Sequence, residues 1–131
     1  MDWTGLTLVV DVDGTLCPIR GSDQNYSDLI PYGSIVERLR TYHEEGVRIV
    51  IYSSRNMNTF GGNMGLINKN TAPVMLEWLD RHGIPYDEIV FGKVWPGNFG
   101  FYVDDRAVRP MEFMTKTPDE LEELCDSQRL G

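Results

Sequence analysis

Residues 6–15 read Leu-Thr-Leu-Val-Val-Asp-Val-Asp-Gly-Thr, and this stretch decides the fold class. The apolar run at 6–10 does not alternate with polar residues, which is typical of a parallel strand that is buried on both faces. Similar runs follow at residues 47–52, 89–91 and 99–103. The sequence therefore predicts four buried strands.

Helical patterns separate and follow these strands. Apolar residues recur at helical spacing over 35–43 and again over 75–79, the second with Pro73 in its first turn. Residues 117–120 form a capping box with proline at the first helical position. Strands that alternate with helices favour right-handed crossovers and a parallel sheet. We predict an α/β fold, a Rossmann-like parallel sheet with helices on both faces. A chain of 131 residues has room for one core, so residues 1–131 are expected to form a single domain.

Composition narrows the function classes. The net charge is −8, and no basic run stands out, which argues against a nucleic-acid partner. The apolar runs are far shorter than a membrane span. The start Met1-Asp2-Trp3 lacks the basic and apolar segments of a signal peptide, and the two cysteines have no metal-site spacing. These observations predict a cytoplasmic protein with reduced thiols.

Polar side chains follow each predicted strand, where the carboxyl ends of parallel strands meet at one edge of the sheet. Crowded carboxylates at that edge would repel one another unless a cation lay among them, and such hard oxygen ligands suit Mg²⁺. A lysine and a serine hydroxyl would bind a phosphoryl group. The residues are Asp11 and Asp13 after the first strand, Ser53, Ser54 and Arg55 after the second, Lys93 after the third, and Asp104 and Asp105 after the fourth.

This pattern resembles the haloacid dehalogenase (HAD) superfamily of phosphohydrolases over about residues 6–110. The resemblance implies that Asp11 is the nucleophile and forms an aspartyl-phosphate, and that Asp13 is the general acid and base, with its backbone carbonyl on the metal. It also implies that Ser53 and Lys93 hold the phosphoryl group. Asp104 would bind Mg²⁺, and Asp105 would support the metal shell or Lys93.

The insertions after the first strand and the second crossover are too short for a folded cap domain, so the chain looks like the capless class. The runs at 53–57 and 104–110 resemble HAD-type proteins of bacterial capsule biosynthesis, which implies a phosphorylated sugar or related small metabolite. Ser54, Arg55, Asn56 and Asn58 are the candidate substrate-binding residues. Without a cap, the site is expected to be covered by the loops at 17–33 and 56–70, by a neighbouring subunit of a homo-oligomer, or by both. The chain departs from the pattern of many family members in one place: only the short link at 94–98 separates Lys93 from the fourth strand.

Other functions stay open at this point. A receiver domain uses similar residues, but its acceptor aspartate follows the acidic pair, whereas Asp11 and Asp13 come first here. A non-catalytic HAD-like binding protein, a phosphatase of nucleotides or polynucleotide ends, and a phosphotransferase or mutase are the remaining alternatives. A transferase would normally need a cap to exclude water.

Overall fold

The computed structural model describes residues 3–131, which fall into two compact units, Trp3–Trp95 and Pro96–Gly131. Met1 and Asp2, part of the start that predicts no signal peptide, lie outside the described residues. The first unit contains, in chain order, β1 (Thr7–Val10), a 3-10 helix (Tyr26–Asp28), α1 (Gly33–Glu44), β2 (Arg48–Ser53), α2 (Met64–Leu66), a π-helical segment (Ile67–Thr71), α3 (Ala72–Arg81) and β3 (Glu88–Phe91).

The three strands form one parallel sheet in the order β1-β2-β3. Val10 pairs with Ile51 in β2, and Ser53 pairs with Phe91 in β3. The chain therefore leaves all three strands at the same edge. The predicted α/β class and the first three predicted strands are confirmed.

The two long helices of this unit form where the apolar spacing predicts them. Helix α1 buries Ile35, Val36, Leu39 and Tyr42, and Gly46, with φ +95°, turns the chain after its end. Helix α3 buries a second apolar stripe, which includes Trp78. The Trp78 indole N–H donates to the Leu29 carbonyl at 2.7 Å, so the segment before α1 is held against α3.

The two faces of the sheet differ in burial. Ile49 and Ile51 on one face of β2 are fully buried, whereas Val9 on the other face of β1 is 63% exposed, and Val90 of β3 is also exposed. The prediction that the strands are buried on both faces is therefore wrong at Val9 and Val90. The reason is that β-branched residues suit a pleated strand whether or not a helix covers them, so an apolar run alone does not establish burial.

Residues 99–103, the fourth predicted strand, do not form a strand. Phe99, Phe101 and Val103 are almost fully exposed. The backbone turns back tightly at Gly100, where a side-chain carbon would collide with the Pro96 carbonyl oxygen. An apolar run becomes a strand only when a neighbouring backbone pairs with it, and the sequence pattern does not report that pairing.

The second unit contains α4 (Pro110–Thr115) and α5 (Pro118–Gln128). The capping box predicted for α5 is present: the Glu120 N–H donates to Thr117 Oγ1 at 3.3 Å, and the Thr117 N–H donates to Glu120 Oε1 at 2.9 Å. After α5, Arg129 pairs with Asp105 at 2.8 Å.

Across residues 3–131, none of the helices has the length and apolar character needed to cross a membrane.

Candidate active site

The segment after β1 forms a tight turn that displays Asp11 and Asp13. The Val12 carbonyl accepts the Thr15 N–H at 3.1 Å and the Leu16 N–H at 2.8 Å, while Val12 itself is fully buried. Gly14 takes φ +85°, a left-handed conformation that favours glycine. The Asp-Val-Asp-Gly-Thr order thus anchors the turn through its apolar middle residue and leaves both carboxylates beside the strand end.

Asp11 lies half-buried between a hydroxyl and an ammonium group. Thr15 Oγ1 donates to Asp11 Oδ2 at 3.4 Å, and Lys93 Nζ lies 3.7 Å from Asp11 Oδ1. Burial raises the pKa of Asp11 above its ordinary value, and the neighbouring charge of Asp13 adds to this, whereas the Lys93 charge opposes it. The carboxylate is therefore poorly solvated and has a cation on one side.

Lys93 follows β3 directly and is tied to the end of β2. Its backbone N–H donates to the Ser53 carbonyl at 3.2 Å. Its ammonium lies 5.9 Å from the centre of the Tyr52 ring in addition to the contact with Asp11. The structure therefore brings the ends of all three strands together around Asp11, with Lys93 supplied from the third.

Asp13 is held by Arg55 through two parallel contacts. Arg55 Nε donates to Asp13 Oδ2 at 3.0 Å, and Arg55 Nη2 donates to Asp13 Oδ1 at 2.9 Å. The Arg55 side chain is 1% exposed, against 23% for Asp13. The predicted substrate ligand Arg55 is thus buried and engaged with the predicted general acid and base.

Ser53 and Ser54 lie in the turn that follows β2. The Ser53 side chain is buried, and its Oγ accepts the Arg55 N–H at 3.0 Å, so the hydroxyl helps to shape the turn. Ser54 is half-buried, and its carbonyl accepts the Met57 N–H at 3.0 Å. The predicted phosphate contact of Ser53 and substrate contact of Ser54 stay predictions.

The two asparagines of the predicted substrate loop differ in their surroundings. Asn56 has φ +62°, and its Oδ1 accepts the Thr71 hydroxyl at 2.7 Å, which fixes the loop to the π-helical segment before α3. Asn58 is exposed. Of the two, Asn58 therefore has the more accessible amide, while that of Asn56 is used within the protein.

Asp104 and Asp105 belong to the second unit, and their predicted approach to Asp11 stays a prediction. Asp104 Oδ1 accepts the Arg106 N–H at 2.8 Å, and its carboxylate is exposed. Arg129 holds the pKa of Asp105 below its usual range through a hydrogen bond and its charge. Within residues 3–131, no group of three or more His, Cys, Asp or Glu side chains has the geometry to hold a metal ion.

Two contributors to the site have no distinctive sequence signal. Tyr26 lies in the irregular segment after β1, and its ring centre is 4.1 Å from the Arg55 guanidinium carbon. Cys17 is buried beside Asp13, with Sγ 3.8 Å from Oδ1, and burial raises the pKa of its thiol to about 12. Such contacts depend on how a loop folds back, and no motif or periodicity encodes that path.

Comparison with known proteins gives one strong match. Neither protein-family models nor curated proteins gave a significant match to the chain. The crystal structure of an MCSG target from Vibrio cholerae is 48% identical in sequence, with a TM-score of 0.88, and the match covers 95% of this chain and 99% of that one. With this identity over nearly the whole of both chains, the protein described here belongs to the same family as the Vibrio cholerae protein.

Proposed function

We propose that this chain is a magnesium-dependent phosphomonoester hydrolase of the capless HAD type, which works through an aspartyl-phosphate on Asp11. The observation that carries the proposal is the contact of 3.7 Å between Lys93 Nζ and Asp11 Oδ1 at the shared edge of the sheet. A carboxylate next to a lysine can attack phosphorus while the ammonium group offsets the charge of the phosphoryl oxygens.

The reaction has two steps in this proposal. An oxygen of Asp11 bonds to phosphorus, the bond between phosphorus and the ester oxygen breaks, and the leaving oxygen takes a proton from Asp13. Asp13 then takes a proton from water, the water oxygen bonds to phosphorus, and the bond to Asp11 breaks. The products are an alcohol, inorganic phosphate and the regenerated Asp11 carboxylate.

Asp11 and Asp13 suit these roles by their different surroundings. The half-buried Asp11 is poorly solvated, so little bound water has to leave its carboxylate before it attacks phosphorus. Asp13 lies two residues further along the same turn and remains partly exposed, so a leaving group or a water molecule can reach it. The two carboxylates therefore divide into a nucleophile and a proton carrier.

The donors around Asp11 fit a hard divalent cation. The Asp11 carboxylate and the Asp13 carbonyl are oxygen donors, which match the preference of Mg²⁺ for a partial protein set completed by water and phosphate. The raised pKa of Asp11 also marks a site where added positive charge stabilises the anion. When bound, Mg²⁺ would withdraw charge from the phosphoryl oxygens. Asp104 is proposed as a further ligand, with Asp105 as its support.

The proposed substrate is a small phosphorylated metabolite, such as a sugar phosphate. The exposed amide of Asn58 and the polar loop around it could contact hydroxyl groups. A cytoplasmic location, a homo-oligomer that helps cover the site, and the absence of a nucleic-acid partner are proposed with it. The charge of −8 supports the last of these.

The test is a phosphatase assay against sugar phosphates, nucleotides and p-nitrophenyl phosphate, with and without Mg²⁺. We expect turnover only with Mg²⁺, and inhibition by beryllofluoride, which mimics an aspartyl-phosphate, only under the same condition. Asp11→Asn should be inactive, while Asp119→Asn, at an exposed aspartate in the first turn of α5, should keep full activity. Inhibition that EDTA leaves unchanged would contradict the metal requirement, and ligand binding without turnover would favour the non-catalytic alternative.

A further inference from the structure

Arg55 is a charged side chain in an almost fully buried position. Its side chain is 1% exposed, and a buried guanidinium is costly unless a carboxylate and further contacts compensate for its lost hydration. Asp13 supplies the carboxylate through the two contacts at 2.9 and 3.0 Å, and the Tyr26 ring covers one face of the guanidinium at 4.1 Å. Little of the Arg55 surface is left for a substrate.

The turn after β2 directs Arg55 inward. The Arg55 N–H donates to Ser53 Oγ, and Asn56 takes a left-handed conformation that its hydrogen bond from Thr71 fixes. Asparagine tolerates this conformation better than most residues do. Hydrogen bonds that involve Ser53 before Arg55 and Asn56 after it therefore fix the turn and the direction of the Arg55 side chain.

The third guanidinium nitrogen of Arg55, Nη1, does not take part in the two contacts with Asp13. Nη1 is buried and has no hydrogen-bond partner among residues 3–131. The contacts with Asp13 therefore use two of the three guanidinium nitrogens, and both oxygens of the carboxylate are engaged by the same side chain.

We propose that Arg55 is a positioning residue that fixes the Asp13 carboxylate for proton transfer, with Tyr26 as its backing. The inference rests on the proposed phosphatase function, in which Asp13 is the general acid and base. Two parallel contacts fix the plane of a carboxylate, which a single contact does not. Arg55 then acts on the reaction only through Asp13, and it does not touch the substrate.

The activity test is a double-mutant cycle with Arg55→Met, Asp13→Asn and both together, measured on an alkyl phosphate and on p-nitrophenyl phosphate. Arg55→Met should lower kcat for the alkyl phosphate about 100-fold with little change in KM, because a poor leaving group needs the proton. The loss should be smaller for p-nitrophenyl phosphate, whose leaving group is stable as an anion. In the Asp13→Asn background, the same change should lower kcat less than about 3-fold.

Arg20→Met is the matched control. Arg20 contacts the Tyr26 ring, at 5.0 Å from its centre, but has no contact with Asp13 among those described for it. It should keep the kcat of the wild type. Arg55→Lys keeps the positive charge but cannot form the two parallel hydrogen bonds, so its kcat should lie between those of the wild type and Arg55→Met. This variant keeps the inference testable if Arg55→Met fails to fold. A rise in KM at unchanged kcat, or losses that multiply in the double variant, would overturn the inference.

A second measurement does not depend on turnover. The Nε–H proton of Arg55, observed by ¹⁵N NMR, should exchange slowly with solvent in the wild type and rapidly in Asp13→Ala. Fast exchange in the wild type would overturn the inference even for an active enzyme. A wild type without phosphatase activity would overturn the proposed function instead, and slow exchange there would still establish that Arg55 holds Asp13.

Discussion

Lys93 reaches Asp11 across the width of the sheet. Asp11 follows β1 and Lys93 follows β3, with β2 between them, yet Nζ and Oδ1 are 3.7 Å apart. Neighbouring strands lie about 4.8 Å apart, so the two backbones are separated by about 10 Å, a gap that a long side chain can bridge. The end of each strand thus contributes to one small region, and the contact depends on the order of the strands.

Lys93→Met should slow turnover and move its pH dependence. The Lys93 charge lowers the pKa of Asp11, so its loss raises that pKa further. Because Asp11 would attack as an anion in the proposed reaction, the acidic limb of the kcat/KM profile should shift to higher pH, and kcat should fall about 100-fold. The measurement is kcat/KM against pH, with Lys69→Met, an exposed lysine outside the site, as the control. An unshifted acidic limb would mean that Lys93 does not act on Asp11.

Asp11→Asn should abolish turnover and raise the thermal stability at neutral pH. Burial is the main cause of the raised pKa of Asp11, so the folded state disfavours the carboxylate anion relative to the unfolded chain. The neutral amide removes that cost, and each 1 kcal/mol gained would raise Tm by about 3–5 °C. Thermal melts of the wild type and Asp11→Asn at pH 7 without Mg²⁺ measure this difference in Tm.

Acidification should reduce the difference in Tm between Asp11→Asn and the wild type. As the pH falls through the raised pKa of Asp11, the wild type becomes protonated and loses the cost of the buried charge, while the variant has none to lose. The difference in Tm between the two proteins should therefore narrow at lower pH. A variant that melts below the wild type at pH 7 would show that the contact with Lys93 outweighs burial.

Asp104→Ala should weaken the response of activity to Mg²⁺ more than Asp105→Ala does. Asp105 is already paired with Arg129, whose charge and hydrogen bond lower its pKa, while the Asp104 carboxylate caps only a local turn. Titrating activity with Mg²⁺ gives the half-saturating concentration for each variant, and loss of a carboxylate ligand should raise it about 10-fold or more. A larger shift for Asp105→Ala would exchange the two assignments.

Asp87→Asn should destabilise the protein at pH 7 but not at pH 2. The Ile49 N–H bonded to Asp87 at 2.8 Å, together with the His43 ring at 3.2 Å, holds the pKa of Asp87 below its ordinary value of 3.8. A lowered pKa stabilises the folded state above the unfolded pKa, and that stability is lost as the pH falls through the folded pKa. We expect a loss of about 1 kcal/mol at pH 7, measured by urea unfolding, because the pair is partly exposed. Equal losses at both pH values would exclude the charge as the cause.

The sequence predicted elements whose signals are local. The capping box at 117–120 and the apolar spacing over 35–43 are each defined by neighbouring residues, and both elements are present in the structure. Features that depend on distant partners were less predictable. The run at 99–103 has strand composition but does not form a strand, and Val9 has the composition of a buried strand but lies on an exposed face.

The candidate site shows the same contrast between residues with local sequence signals and residues that depend on distant partners. Asp11 and Asp13 are recognisable from their spacing, and the place of Lys93 follows from the order of elements. The engagement of Arg55 with Asp13 was not predictable, because it joins residues 42 positions apart through a turn whose shape depends on Ser53 and Asn56. The sequence predicts Arg55 as a substrate contact, and the structure shows its side chain buried and bonded to Asp13, the proposed general acid and base.

Asn58→Ala should impair recognition of hydroxyl groups without affecting the chemistry. Asn58 is exposed, whereas the Asn56 amide accepts the Thr71 hydroxyl and holds the loop. The variant should raise KM for the preferred sugar phosphate about 10-fold, the effect of losing one or two hydrogen bonds, and should leave p-nitrophenyl phosphate unaffected because that ester has no hydroxyls to contact. Asn56→Ala is the contrasting variant: by loosening the turn that directs Arg55, it should lower kcat for both substrates. If Asn58→Ala impaired both substrates equally, Asn58 would support the catalytic centre, and if it impaired neither, selectivity would lie in another part of the site.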